Sequence, residues 1–284
     1  MEFRTIVDIP ESHWKIEPCE RMLFIGSCFA DNIGRRFAEE KFRAVVNPYG
    51  VMYNPASILH TVQRLMQDDA MPFSHDEQGT AVMTLGTNHV YILKETGEIV
   101  DNCQKRPQRL FQERELSITE CATYLDKAIA LIEQSFPKTR FILTVSPIRY
   151  RKYGYHESQL SKATLLLAID SLVKAQEKTQ DNQRINYFPS FEILNDELRD
   201  YRFYKPDMLH PSDQAVDYIF ERIAATYFSD ATTTFLKEWK PIREALNHRP
   251  LHPESEEYKI FKRQTEDRLK QLEDKYIGLK QRST

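Results

Sequence analysis

The chain of 284 residues is long enough for one large domain with an appendage or for two smaller domains. Hydrophobic residues make up 41% and charged residues 29% of the sequence, which argues against a disordered chain and against a fibrous repeat. The formal net charge is −3, and no long basic stretch precedes the C-terminal tail, which argues against nucleic acid as the main partner. A small molecule or a carbohydrate is the expected partner.

The four cysteines give no sign of a metal site or of a redox motif. They form no CxxC pair and have no histidine at zinc-finger spacing: Cys19, Cys28, Cys103 and Cys121. We interpret them as free thiols in a reducing compartment. The N-terminus has no basic segment followed by an apolar run, and no stretch reaches about 18 consecutive apolar residues. The sequence therefore predicts a cytoplasmic protein with no membrane association.

Short apolar runs alternate with stretches of helical period, which is typical of βαβ units around a buried parallel sheet. In chain order, the predicted strands are 22–26, 43–46, 80–86, 140–146 and 185–188. Helical periodicity appears between the third and fourth runs, at 124–136, and it returns after the fifth at 215–228. Residues 89–101 alternate around Thr96 and Gly97, which predicts a hairpin outside the main sheet.

After about residue 230 the chain becomes highly charged and ends in one long helical pattern. A thin apolar stripe runs along this pattern: Phe261, Leu269, Leu272, Tyr276 and Leu279. We therefore divide the chain into a domain of residues 1–230 and a helical extension of residues 231–284. Two interpretations of the stripe stay open, a solvated helix packed loosely on the domain or a helix that joins two copies into a homodimer.

Polar segments follow the predicted strands. In an open parallel sheet, chemistry collects at the carboxyl ends of the strands, where loops share one crevice and helix N-termini point their amides into it. The segments after the first four strands are Gly26-Ser27, Asn47 to Gly50, Gly86 to Asn88 and Ser146-Pro147. Asp207 and His210 come much later, directly before the last helical pattern of the domain.

These residue types suit acyl transfer. A serine hydroxyl is a poor nucleophile until a base takes its proton, and His210 can act as that base. Asp207, three residues earlier, can orient the imidazole through its other nitrogen. The Ser27 amide, the Gly50 amide and the Asn88 side chain are suited to hold an oxyanion. Each feature has a plain alternative, since DxxH before a proline also caps helices, and asparagines and glycines also start loops.

The order of these features resembles the SGNH, or GDSL-like, hydrolase superfamily. "GSCFA" at residues 26–30 resembles the signature of the GSCFA-domain family, and "NPYGVMYNP", "TLGTNHVY" and "TVSPIRY" extend the resemblance over residues 1 to about 228. The resemblance implies a three-layer α/β/α sandwich of the flavodoxin-like kind with a five-stranded parallel sheet. It also implies a Ser-His-Asp site for ester hydrolysis or acyl transfer, with no metal and no cofactor.

By this resemblance Ser27 is the catalytic nucleophile, with His210 and Asp207 as its partners. Gly50 and Asn88 match the donors that complete the oxyanion hole with the Ser27 amide. At the corner after the first strand we expect Ser27 to project into the crevice and Cys28 to be buried. Cys28 is the rival nucleophile, because a helix N-terminus also activates a thiolate.

The predicted substrate-binding residues are Asn47, Arg149 and Tyr153, which would hold a carboxylate or sugar hydroxyls. The family analogy suggests a small acyl group, such as acetyl, on a carbohydrate or another small molecule. One alternative is a non-catalytic scaffold that binds a glycan or a nucleotide. Another is a metal site formed by His75, His89 and His210, although their positions show no ligand spacing.

Overall fold

The computed structural model describes residues 4–101, 103, 106–179, 183–276 and 279. Its strands are β1 (Arg21–Gly26), β2 (Arg43–Val46), β3 (Gly79–Leu85), β4 (His89–Leu93), β5 (Ile99–Val100), β6 (Phe111–Glu115), β7 (Thr139–Val145) and β8 (Ile185–Tyr187). Its helices are α1 (Cys28–Glu39), α2 (Pro55–Gln67), α3 (Ile118–Ser135), α4 (Tyr155–Thr179), α5 (Ser190–Glu192), α6 (Asp213–Tyr227), α7 (Asp230–Leu246) and α8 (Glu256–Lys275).

The main sheet has five parallel strands in the order β2-β1-β3-β7-β8. All five lie where the apolar runs predict them, to within one residue at each end. From β1 the chain goes to β2 on one side, and it then crosses to β3 on the other side of β1, where β7 and β8 follow outward. This reversal creates a switch point between β1 and β3, where ligands bind in open α/β sheets.

Helices cover both faces of this sheet, so the fold is the expected three-layer α/β/α sandwich. Side chains of β1 alternate between the two cores: Leu23 and Ile25 pack toward α2, α3 and α4, whereas Met22 and Phe24 pack toward α1 and α6. All four are fully buried, and each such side chain contributes about 1.5–3 kcal/mol to stability. Burial on both faces explains why the strands are continuous apolar runs.

A second, antiparallel sheet has the order β5-β4-β6. The hairpin predicted at 89–101 is confirmed as β4 and β5. The third strand, β6, was not predicted, because its sequence is FQERE and only Phe111 is buried. Backbone hydrogen bonds to β4 keep this charged segment extended, and its side chains show no alternating pattern that would predict a strand.

The helical extension begins with α7, which packs on the main domain. Phe235, Trp239 and Ile242 are buried, and the Trp239 indole donates a 3.1 Å hydrogen bond to the carbonyl of Glu39 in α1. Most of α8 is exposed, and Leu272 is buried against α7. Apart from residue 279, the predicted extension beyond residue 276 lies outside the described residues. The boundary at 230 and the homodimer stay predictions.

All four cysteines are free thiols. In the part of the chain that the structure describes, no helix is both long enough and apolar enough to cross a bilayer. The cytoplasmic location stays a prediction.

A buried ion pair joins the amino ends of the main sheet. Arg140 of β7 contacts both carboxylate oxygens of Glu20, at 2.6 and 2.7 Å, and the Thr80 hydroxyl of β3 donates to the same carboxylate at 2.6 Å. Both members of the pair are buried. Removing one partner of a buried pair leaves the other charge without compensation.

We expect Glu20→Gln to lower the free energy of unfolding by about 3–5 kcal/mol, because the Arg140 guanidinium then stays buried beside a neutral group. Denaturant unfolding monitored by circular dichroism measures this change. Glu77→Gln is the matched control: Glu77 pairs with Arg21 at 2.9 Å but is exposed, so its loss should cost less than about 1 kcal/mol. Equal effects of the two substitutions would contradict the assigned role of the buried pair.

Candidate active site

The turn between β1 and α1 presses Ser27 against the end of β3. Gly26 has a φ of +135°, and a Cβ at this position would overlap the Thr84 carbonyl oxygen. The Ser27 amide donates to both the carbonyl and the hydroxyl oxygen of Thr84, each at 3.0 Å. The Ser27 hydroxyl lies 3.0 Å from the Thr84 hydroxyl and accepts from the Phe29 amide at 3.2 Å. Ser27 is therefore the N-cap of α1, with its amide and its hydroxyl both bonded.

The exposures predicted for Ser27 and Cys28 are wrong. Ser27 is only 1% exposed, because its side chain folds back over the first turn of α1. Cys28 is the first residue of α1 and is partly exposed, with its Sγ 3.7 Å from the Tyr53 hydroxyl. The Cys28 amide, at the helix N-terminus, has no hydrogen-bond partner among the described residues. Cys28 thus offers both an accessible nucleophile and an unused donor.

Asn47, at the end of β2, braces this corner. Its side-chain oxygen accepts from the Gly26 amide at 2.9 Å, and its side-chain nitrogen donates to Asp31 at 2.6 Å. The Gly50 amide donates to the Asn47 carbonyl at 2.8 Å and closes the turn between them. In this conformation Gly50 is not a free donor and the Asn47 side chain is bonded to protein. These contacts do not favour the predicted roles of Gly50 in the oxyanion hole and of Asn47 in substrate binding.

The loop after β3 lies beside the corner. Its Gly86 and Thr87 amides donate to the Tyr53 carbonyl at 2.8 and 2.9 Å. A Cβ placed on Gly86 would lie 3.3 Å from the Tyr53 ring and 3.6 Å from the Cβ of Ser27. The loop and the corner are therefore neighbours at the switch point of the sheet.

Asn88 ends this loop and is buried. Its side-chain nitrogen donates to the Leu116 carbonyl at 2.8 Å, and its side-chain oxygen has no partner among the described residues. An asparagine side chain carries two N–H groups, and the contact to Leu116 uses one of them. The second N–H has no hydrogen-bond partner among the described residues.

Asp207 and His210 form the predicted hydrogen-bonded pair. His210 Nδ1 lies 2.6 Å from one oxygen of Asp207, and the other oxygen accepts from the amides of Leu209 and His210 at 2.8 and 3.0 Å. The Arg149 amide, just beyond the carboxyl end of β7, donates to the Leu209 carbonyl at 3.0 Å. The pair is thus docked at the same edge of the sheet as the corner. His210 Nε2 has no hydrogen-bond partner in the described part of the chain.

The described residues contain no hydrogen bond between His210 and either Ser27 or Cys28. The structure therefore places an oriented imidazole and two neighbouring nucleophile candidates at one edge, without direct contact between them. Catalytic hydrogen bonds are often long or absent before substrate binds.

Arg149 and Tyr153, the other predicted substrate-binding residues, also contact protein. Arg149 Nη1 donates to the Met208 carbonyl at 3.2 Å, next to the loop of Asp207 and His210, and the residue lines a cavity of about 260 Å³. Tyr153 stacks on His89 with the ring centres 4.0 Å apart, and its hydroxyl lies 3.4 Å from that of Tyr91. Arg149 therefore faces a cavity.

Sequence reasoning did not single out Thr84 or Tyr53, although both shape the corner. Thr84 is a polar residue inside a fully buried strand, and this mismatch is the signal that could have revealed it. Tyr53 lies in a stretch that the family resemblance covers, but its contacts come from a backbone carbonyl and a hydroxyl that no pattern distinguishes.

His75, His89 and His210 lie in three different surroundings, which gives no support to a metal site made from them. His75 pairs with the adjacent Asp76 at the surface, 3.1 Å away, and His89 stacks on Tyr153. Within the described ranges, no group of three or more histidine, cysteine, aspartate or glutamate residues could hold a metal ion.

Two family models match this sequence. That of the GSCFA family matches residues 21–78 and 74–223, and that of the GSCFA domain protein, C-terminal domain, matches residues 239–282. No curated protein matches the chain.

Solved structures with a similar fold have low sequence identity to this chain. A protein of Bacteroides fragilis assigned as an acylhydrolase is 12% identical, with a TM-score of 0.46 over 78% of this chain and 91% of that chain. A carbohydrate esterase family 2 enzyme with a carbohydrate-binding domain, from Corynascus thermopiles, is 14% identical, with a TM-score of 0.43 over 77% and 68%. A variant of an acetyl-xylooligosaccharide esterase from Geobacillus is 13% identical, with a TM-score of 0.42 over 75% and 95%.

The contacts of Asp207 predict an unusually acidic carboxyl group. The amides of His210 and Leu209 and the His210 side chain lower its pKa to about 2. Because the pKa is lowered in the folded state, this carboxylate stabilises the fold fully above its ordinary pKa of about 4, and the contribution is lost as the pH falls toward 2.

We expect the Asp207 carboxyl carbon to titrate with a midpoint of about 2 in an NMR pH series. Glu120, whose pKa the Ser117 amide and Arg114 also lower to about 2, is an internal reference in the same spectra. In Asp207→Asn the Glu120 midpoint should be unchanged, while the free energy of unfolding should fall less between pH 4 and pH 2 than in the wild type. A midpoint at the ordinary aspartate value would contradict the hydrogen bonds described here.

Proposed function

The chain belongs to the GSCFA family, and on that premise we propose that it is an esterase or acyltransferase that acts on a small ester. The acyl group is small, such as acetyl, and the alcohol is a carbohydrate or another small molecule. The observation that supports this most directly is the Asp207–His210 pair, 2.6 Å apart, at the sheet edge that carries the corner. Its second imidazole nitrogen is unbonded among the described residues.

His210 is the proposed general base. The Asp207 carboxylate fixes the imidazole tautomer with its proton on Nδ1, so Nε2 has the lone pair that accepts a proton. Because the pKa of Asp207 is about 2, this carboxylate is ionised at neutral pH and can stabilise the imidazolium that forms.

The contacts at the corner favour Cys28 over Ser27 as the attacking group. Ser27 is the residue that the family resemblance assigns, but its hydroxyl must leave Thr84 and the Phe29 amide before it can attack. Loss of a serine cap costs about 1 kcal/mol. Cys28 is partly exposed at the start of α1, and its Sγ has only a weak contact, 3.7 Å from the Tyr53 hydroxyl. We therefore place the nucleophile at Cys28, with Ser27 as the second candidate.

The proposed reaction has two steps. Cys28 Sγ attacks the ester carbonyl carbon while His210 Nε2 takes the thiol proton, and the leaving alkoxide then takes that proton from His210. Water, or an acceptor alcohol, loses a proton to His210 and attacks the thioester carbonyl; the C–S bond breaks, Cys28 Sγ takes the proton from His210, and the acyl product leaves. The Cys28 amide and the free N–H of Asn88 are the donors for the oxyanion, and one such donor is worth about 10²–10³ in rate.

Substrate choice, in this proposal, belongs to the loop after β7. Arg149 lines the cavity of about 260 Å³ beside the catalytic pair, so a polar or carboxylate group of the alcohol would meet its guanidinium there. Tyr153 is held by His89 and Tyr91 and would form a wall of the site.

The test is intact-mass analysis after exposure to p-nitrophenyl acetate and, separately, to a fluorophosphonate. We expect one acetyl adduct on Cys28, lost in Cys28→Ala and formed at least about 100-fold more slowly in His210→Ala. Ser27→Ala should lose about 1 kcal/mol of stability with its cap and should keep the adduct. Released p-nitrophenol measures turnover in the same samples.

Cys103→Ser is the matched control. Cys103 is also a partly exposed free thiol, but burial raises its pKa, so its removal should leave the adduct unchanged. An adduct on Ser27 that survives Cys28→Ala would restore Ser27 as the nucleophile. A wild-type protein with intact circular dichroism, no adduct and no turnover would overturn the proposal in favour of a scaffold that only binds its ligand.

A further inference from the structure

A fully covered lysine lies beneath the loop that carries Asn88. Lys162 of α4 is 2% exposed, and its Nζ donates to the Gly86 carbonyl at 2.7 Å and to the Ser146 carbonyl at 2.8 Å. Gly86 and Ser146 are the first residues beyond β3 and β7. One amine therefore joins the carboxyl ends of two neighbouring strands.

The preceding residue, Ser161, contacts the next part of the same loop. Its hydroxyl accepts from the Asn88 amide at 3.0 Å and lies 3.0 Å from the Thr87 hydroxyl. The Thr87 hydroxyl in turn accepts from the His89 amide at 3.2 Å. Two consecutive residues of α4 thus hold the whole turn from β3 to β4.

A buried amine is a costly way to fill space in a core, because it must be desolvated. Burial lowers the pKa of Lys162 to about 7. A neutral amine has two N–H groups, and Lys162 has two carbonyl acceptors for them. An apolar side chain would fill the same volume without this cost but could not bind either carbonyl. The buried Lys162 side chain therefore fixes the geometry of the loop at a cost in stability.

We propose that Ser161 and Lys162 are positioning residues that hold the loop of Asn88 beside the corner. They contact the loop and not the substrate, so they set the rate of the chemical step and leave substrate affinity unchanged. The inference rests on the proposed function, because the oxyanion role of Asn88 belongs to it. It assigns a role to two residues of α4 that no predicted site segment includes.

The test compares Ser161→Ala, Ser161→Thr and Lys162→Met with the wild type. We expect kcat for p-nitrophenyl acetate to fall roughly 10- to 100-fold in Ser161→Ala and Lys162→Met, with KM unchanged, since small displacements of a donor have effects of this size. Ser161→Thr keeps the hydroxyl and should restore kcat. Hydrogen exchange of the Thr87 and Asn88 amides should accelerate in the two impaired variants.

Leu165→Ala is the matched control. Leu165 is buried on the same helix but packs in the apolar core, so its loss should destabilise the fold without slowing the chemical step. Should Lys162→Met fail to fold, the Ser161 pair of variants carries the test alone. Wild-type kcat in Ser161→Ala, or an equal loss in Leu165→Ala, would overturn the positioning role.

If the wild-type protein shows no ester turnover, the proposed function is wrong. Hydrogen exchange then tests the positioning role separately. Faster exchange at Thr87 and Asn88 in Ser161→Ala, absent from Leu165→Ala, supports it. Unchanged exchange at these amides overturns it.

Discussion

The candidate site depends on how closely the end of β1 approaches the end of β3. Gly26 permits this approach because any side chain there would overlap the Thr84 carbonyl. Thr84 then binds the Ser27 amide through two oxygens, and Asn47 binds the Gly26 amide from the other side. The first turn of α1 is thereby fixed in direction, and the side chain that reaches the surface is the one after the cap. The exposure of Cys28 follows from this backbone constraint.

Within the corner, adjacent serine and cysteine residues have different tasks. A hydroxyl is a good helix cap because it accepts a short hydrogen bond from a backbone amide, whereas a thiol is a weak acceptor and a strong nucleophile. Ser27 caps α1 and Cys28 is partly exposed, so each group occupies the position that suits its chemistry. The His210 imidazole is oriented independently of the corner, because its partner Asp207 lies in the same short loop.

The two ends of the main sheet are held together by different means. At the amino ends, Glu20 and Arg140 form a charged pair whose members compensate each other. At the carboxyl ends, the Lys162 amine is buried without an acidic partner among the described residues and binds two backbone carbonyls instead. The charged pair lies at the end of the sheet away from the proposed site and Lys162 lies beside that site, so substitutions at the two ends should have different consequences.

Local patterns in the chain are enough to predict the five strands, the hairpin after β3 and the contact between Asp207 and His210. Strands that are buried on both faces are apolar throughout. Two residues that lie three positions apart in a tight loop are close enough for their side chains to form a hydrogen bond. The exposures of Ser27 and Cys28, the bonded state of Gly50 and the support of Asn88 by Ser161 could not be predicted in this way. Each depends on partners from another strand or helix, and for Ser161 and Asn88 the two residues are 73 positions apart. Periodicity describes which face a residue occupies, but only the packed structure decides which hydrogen bonds are already made and which groups remain free to react.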